Sequence, residues 1–191
     1  MMGQRELWEA FYEKDSRAWR GNSRIPLPCR GRALDLGCGS GKTLSSLIDA
    51  GFETVGMDFS VNAVESCRRR FGDSVGLVVG SVDALPFEDG CFDYVTAVHV
   101  LENLDDDELG RTASEVGRVL RSGGYVFCRA FTPEDMRSEG RSNGEIRYRY
   151  FSDGDLERVF SGMEVVSSAR IDEPTRFGTL RSRVECLMRK V

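Results

Sequence analysis

Apolar positions along the chain alternate between two periods. Residues 4–20 carry them at helical spacing, with Leu7, Trp8, Phe11 and Tyr12 on one side and Trp19 two turns further on. Gly21-Asn22-Ser23 stops that helix, and Pro26 and Pro28 keep the connection extended. A short apolar run at Ala33–Leu36 predicts a strand, and Leu44, Leu47 and Ile48 then mark the buried face of a helix ending near Gly51. The same alternation follows with a strand at 54–57, a helix at 61–71 facing inward through Ala63, Val64 and Cys67, and strands at 76–79 and 92–98. Asp105-Asp106-Asp107 opens a further helix, whose inward side is Leu109, Ala113, Val116 and Leu120 and which Gly123-Gly124 ends before a strand at 125–128. Thr132 to Asn143 is charged and glycine-rich, an exposed loop or cap, and Ser152-Asp153 caps a helix over 153–160. Period-two positions at Val165, Ser167, Ala169 and Ile171, and again at Val184, Cys186 and Met188, predict an antiparallel hairpin of 163–171 and 184–191 around Pro174 and Gly178. Strands alternating with helices predict an α/β fold on a mostly parallel sheet.

Composition narrows what this fold serves. A chain of 191 residues supports one core, so 1–191 is expected to be a single domain: a helical segment at 1–24, a ligand-binding core at 32–130 and a substrate-side loop with hairpin at 131–191. No apolar run suits a signal peptide or a membrane span, which places the expected location in the cytoplasm. The six cysteines lie far apart with one histidine in the whole chain, so no metal site is expected. A net charge of −5 gives no strong nucleic-acid signal, and a monomer or homodimer acting on a small molecule is the expectation.

The chemistry concentrates in Arg32–Thr43, RALDLGCGSGKT, where a strand with one carboxylate, Asp35, runs into glycines at 37, 39 and 41 and then into a helix. Gly41-Lys42-Thr43 supplies the end of a phosphate-binding G-x-x-x-x-G-K-[ST] loop, but Leu36 stands where its first glycine belongs. The dinucleotide fingerprint G-x-G-x-x-G demands glycine where Lys42 stands. D-x-G-x-G-x-G fits throughout. Asp58 closes the next strand, at the place where nucleotide-binding βαβ units offer a carboxylate to ribose hydroxyls, and it or Ser60 caps the following helix.

Asp35-Leu36-Gly37-Cys38-Gly39-Ser40-Gly41 resembles motif I of the class I S-adenosylmethionine (SAM) dependent methyltransferases. Gly80–Phe87 is similar to that family's G-D-A-x-x-L-P-F loop, Phe92-Asp93-Tyr94-Val95 to its F-D-x-V strand, and His99–Asn103 to its H-x-L-E-H stretch with Asn103 in place of the second histidine. The resemblance implies a Rossmann-like seven-stranded sheet of order 3-2-1-4-5-7-6, strand 7 antiparallel and helices on both faces. It implies SAM as methyl donor and S-adenosylhomocysteine as product. Asp35 then attracts the SAM ammonium, Gly37, Gly39 and Gly41 cradle the ligand, Asp58 with Phe59 meets the ribose, and Asp83 with Ala84 meets adenine. Trp19 and His99 border the same ligand, His99 either as a base at the acceptor or as a packing residue. Tyr12, Arg147, Tyr148 and Arg149 are acceptor-side candidates, the last three in a segment that reads equally as a plain strand. A SAM-binding protein without transfer activity and a nucleotide-binding phosphate-loop protein are the alternative readings.

Overall fold

The computed structural model describes residues 3–14, 23–138 and 146–191. Trp19, the far end of the predicted first helix, and part of the 132–143 loop lie outside them. Helix α1 (Gln4–Lys14) precedes β1 (Arg32–Leu36), α2 (Lys42–Asp49), β2 (Glu53–Asp58), α3 (Val61–Phe71), β3 (Gly76–Val79), β4 (Phe92–Val98), α4 (Asp106–Val119), β5 (Leu120–Phe131), α5 (Asp155–Val159), β6 (Met163–Pro174) and β7 (Leu180–Lys190). The strands form one seven-stranded sheet, order β3-β2-β1-β4-β5-β7-β6. β1 pairs parallel with β2 and β4, β2 with β3, and β4 with β5, whereas β7 runs antiparallel to β5 and β6. The expected Rossmann-like order is therefore the observed one.

Central strands of such a sheet are covered on both faces and read as unbroken apolar runs. Leu34 and Leu36 point into the larger core with Val95, Leu109, Val116, Leu156 and Met188, the side on which α4 and α5 pack. Ala33 meets Leu47, Phe52, Tyr94, Phe127 and Leu187 on the opposite face, and Ile25 and Cys29 of the extended 23–31 arm close over them. Under the glycine loop, Cys38, Leu44, Cys67 and Val75 form a third cluster with Phe71. All six cysteines are free thiols, four of them buried. Ser60 is the N-cap of α3, accepting from the Ala63 N–H, and Asp105 with Glu108 makes a reciprocal capping box on α4. Asp93 braces strand ends, accepting from the Arg32 N–H at 2.8 Å and from Arg121 at 2.7 Å.

Three expectations are corrected. α4 stops at Val119, and Gly123-Gly124 lie inside β5 rather than before it. Leu120 keeps the helical spacing yet is already extended, at φ −72 and ψ 137, and fully buried. The residues between Leu120 and Tyr125 bulge out of register with β4, and a Cβ on Gly124 would come within 3.0 Å of the Arg121 carbonyl oxygen. The predicted hairpin is present as β6 paired antiparallel with β7, with Val165 and Val166 of β6 both about half exposed (46% and 50%). Residues 146–151 form no strand, and Gly154 rather than Ser152 or Asp153 is the N-cap of α5.

Asp35 shares the Ala33 face of β1 and is 2% exposed. Its Oδ1 accepts from the Thr96 hydroxyl at 2.7 Å, and its Oδ2 is buried without a hydrogen-bond partner among the described residues. Burial pushes its carboxyl up to about 7; the Thr96 hydrogen bond opposes the rise and the Asp58 charge adds to it. The folded state holds this proton more tightly than the unfolded chain, so stability falls as pH rises through the interval between the unfolded value and about 7. Asp35→Asn removes the ionisation. Relative to the parent chain, the variant is expected to gain about 2 kcal/mol of unfolding free energy on going from pH 5 to pH 8 in urea titrations, and an unchanged difference would contradict the assigned burial.

Candidate functional site

Parallel α/β sheets place ligands beyond the carboxyl ends of their strands. Here that edge opens into a cavity of about 550 Å³ bounded by Gly37 after β1, Asp58 and Phe59 after β2, Gly80–Val82 after β3, His99–Val100 and Asn103–Asp105 after β4, and by α1 above. Gly37, Gly39 and Gly41 have φ of 62, 50 and 83, a region that side chains avoid. Space forbids them as well: a Cβ on Gly37 would lie 2.5 Å from Val100 Cγ2, and one on Gly41 would lie 2.4 Å from the Phe71 ring. The loop backbone thus fits against β4's loop and α3 at once. Lys42 is exposed at the start of α2 and takes no part in the lining.

Asp58 fixes this loop. Its Oδ2 accepts from the Gly39 N–H and its Oδ1 from the Ser60 N–H, each at 2.9 Å, while the residue stays 3% exposed. Burial raises its carboxyl above the usual range against those backbone hydrogen bonds. The carboxyl therefore serves the loop first, and its position in the cavity lining leaves its remaining acceptor capacity on that side.

Helix α1 roofs the cavity through side chains tied to several elements. Glu9 Oε1 accepts from Asn62 Nδ2 at 3.0 Å on α3, Arg5 donates to the Ser81 hydroxyl at 3.0 Å, and Trp8 Nε1 donates to Asn103 Oδ1 at 3.1 Å. Trp8 stacks on Tyr12, with centroids 5.8 Å apart, and meets Phe11 and Tyr148 edge-on. Burial, with the Asp58 charge adding to it, pushes the Tyr12 phenol well up and keeps it un-ionised.

The turn after β4 carries His99, the one non-glycine residue with positive φ (58) among the described residues. Its N–H donates to the Arg129 carbonyl at 2.9 Å, its ring stacks on Phe131 at 4.0 Å, and its Nδ1 lies 2.8 Å from Glu102 Oε1.

Of the fourteen residues singled out in the sequence, five line the cavity: Gly37, Asp58, Phe59, Tyr12 and His99. Asp35 is buried and is not among the residues that line the cavity. Asp83 and Ala84 face a shallow depression against α4; the Ser81 hydroxyl and the Arg111 guanidinium, the latter through two bonds of 3.0 and 2.8 Å, hold the Asp83 carboxyl below its usual range. Arg149 pairs with Asp106 at 2.7 Å on the surface, and the Arg147 N–H donates to Gln4. Tyr148 bridges Trp8 and Phe131 behind the cavity wall. Arg5, Trp8, Val100 and Asn103 went unselected; Trp8 stood on the same aromatic stripe as Tyr12, which was the available signal.

Residues 34–128 match the family model described as "Methyltransferase domain". The demethylmenaquinone methyltransferase of Staphylococcus saprophyticus is 39% identical over 102 residues, 51% of this chain and 43% of that protein. Its Staphylococcus aureus counterpart is 35% identical over 130 residues, 65% of this chain and 49% of that one. The chain spans less than half the length of these curated relatives. A SAM-dependent methyltransferase structure from Methanosarcina mazei superposes with a TM-score of 0.72 at 21% identity, covering 86% of this chain and 94% of that one, a likeness of fold. Motif, strand order and domain match agree: the chain belongs to the class I SAM-dependent methyltransferase family.

Proposed function

We propose that the chain transfers a methyl group from SAM to a small aromatic acceptor. The observation that carries this reading is the cavity itself, with glycine backbone and the Asp58 carboxylate on one side and an aromatic roof of Trp8 and Tyr12 on the other. A sulfonium supplies an electrophilic methyl that needs only a nucleophile in line with the C–S bond. The residues then act by holding and drying the reactants. Gly37 lets the loop approach the ligand closely, the spare lone pairs of Asp58 receive the ribose hydroxyls, and Phe59 packs beside the ring system. Gly80–Val82 borders the adenine end, and Asp83 holds the Ser81 hydroxyl from outside the cavity. The relatives' name supports a ring-bearing acceptor, and the aromatic roof suits one.

In calorimetric titrations S-adenosylhomocysteine is expected to bind at micromolar affinity while ATP and NAD give no heat. Asp58→Ala should weaken that binding by about 1–3 kcal/mol, and Lys42→Ala should leave it unchanged. Loss with Lys42→Ala, or heat with ATP alone, would instead make the loop a phosphate site. Gly37→Ala, which meets both the positive φ and Val100, is expected to lower S-adenosylhomocysteine affinity at least tenfold and the midpoint of thermal unfolding as well.

A further inference from the structure

The turn after β4 holds a buried carboxyl group that the cofactor reading does not use. Glu102 has no exposed side-chain surface, and its Oε1 faces His99 Nδ1 at 2.8 Å while also accepting from the Phe131 N–H at 3.0 Å. Its Oε2 is buried with no hydrogen-bond partner among the described residues. A carboxylate sequestered in this way is costly unless an opposite charge stands against it. The imidazole Nδ1–H is a donor placed against it beside the Phe131 N–H, and the same ring is where a positive charge arises once it takes up a proton. It is clamped between the Phe131 ring and Glu102, on a backbone held at φ 58, and it borders the cavity. Backbone strain of this kind, about 1–3 kcal/mol at a side-chain-bearing residue, persists where the surroundings enforce it.

We propose that His99 and Glu102 form a proton-accepting pair, and that the methyl acceptor is accordingly an aromatic hydroxyl compound. The proposal rests on the reading of the cavity as a SAM methyl-transfer site. A neutral amine attacks with a lone pair it already has and sheds its proton afterwards, whereas a hydroxyl oxygen becomes an adequate nucleophile only as its proton leaves. With Nδ1–H donated to Glu102, His99 presents Nε2 as an acceptor. The acceptor's O–H bond breaks and its proton passes to Nε2. The oxygen pair forms the O–CH3 bond, the C–S bond of SAM breaks, and its electron pair stays on sulfur as the neutral thioether of S-adenosylhomocysteine. The imidazolium formed in this step is paired with Glu102. Glu102 thus acts through His99 as a positioning residue, and the aromatic roof of Trp8 and Tyr12 suits a flat hydroxylated ring.

Because the chain has a single histidine, 15N-labelled histidine gives a nitrogen spectrum of this one imidazole. In the chain saturated with S-adenosylhomocysteine, the proton is expected on Nδ1 with Nε2 bare; a proton on Nε2 overturns the pair. Methyl transfer from labelled SAM is then measured with 1-naphthol, 1,4-dihydroxynaphthalene and catechol against 1-naphthylamine. Label is expected on the hydroxyl compounds alone. His99→Ala should lower that rate by about 10²-fold or more, with partial recovery in added imidazole. Glu102→Gln keeps the shape and the acceptor oxygen but not the charge, so kcat should fall at least tenfold at unchanged KM and unchanged S-adenosylhomocysteine affinity, whereas a purely structural glutamate would leave kcat alone. Equal transfer to 1-naphthylamine, or no transfer to any hydroxyl probe while S-adenosylhomocysteine still binds, overturns the acceptor class and leaves the cofactor reading standing. Failure to bind S-adenosylhomocysteine at all would overturn the cofactor reading instead.

Discussion

The site depends on how closely one stretch of backbone meets its neighbours. Between β1 and α2 the chain turns through left-handed glycines with no room for side chains, and it is pinned from below by the Asp58 carboxylate at the Gly39 N–H. Val100 after β4, Phe71 on α3 and the Tyr12 hydroxyl on α1 each occupy the space a Cβ would need. The loop is therefore a point where four elements meet, and moving any of them alters the others. Parallel pairing of β1 with β2 and β4 sets the register that brings Asp58 and His99 to the same edge.

Much of the fold was legible because central parallel strands are short apolar runs and glycines or caps bound most of them. The errors have local causes. Leu120 continues the spacing of Val116 and so extends the apparent helix, although it is the first residue of β5 and is buried from the strand. Alternation in β6 marks the strand and its hairpin correctly, but how deeply the strand is buried depends on a covering layer that the local pattern does not specify.

The site was legible in its glycines and less so in its charges. Motif position alone cannot separate Asp35, buried behind the cavity, from Asp58, at the cavity wall, since each stands at or next to the end of a neighbouring apolar strand. Asp83 matches the motif yet is held by Arg111, a partner on α4 that local sequence does not predict. Glu102 stands three residues after His99, and only the short 3-10 turn at Leu101–Asn103 brings the two side chains together. Contacts of this kind depend on a turn whose geometry is set by the ends of two strands, β4 and β5, that meet only in the folded sheet.

The uncovered β6 has a consequence outside the site. As the last strand in the sheet order it exposes one row of backbone hydrogen-bonding groups over its length, a template on which another chain's strand could add. Its composition works against such growth. Glu164, Arg170, Asp172 and Glu173 place charges along it, the ladder slips between Val165 and Ser167, and Pro174 ends it without an N–H to offer. Val165 and Val166 are the adhesive part of this edge and sit at the slip, and an irregularity of that kind bends a strand and makes it a poorer template for a flat partner. Growth of the sheet is thus opposed at its far end from β3 by the strand's own side chains.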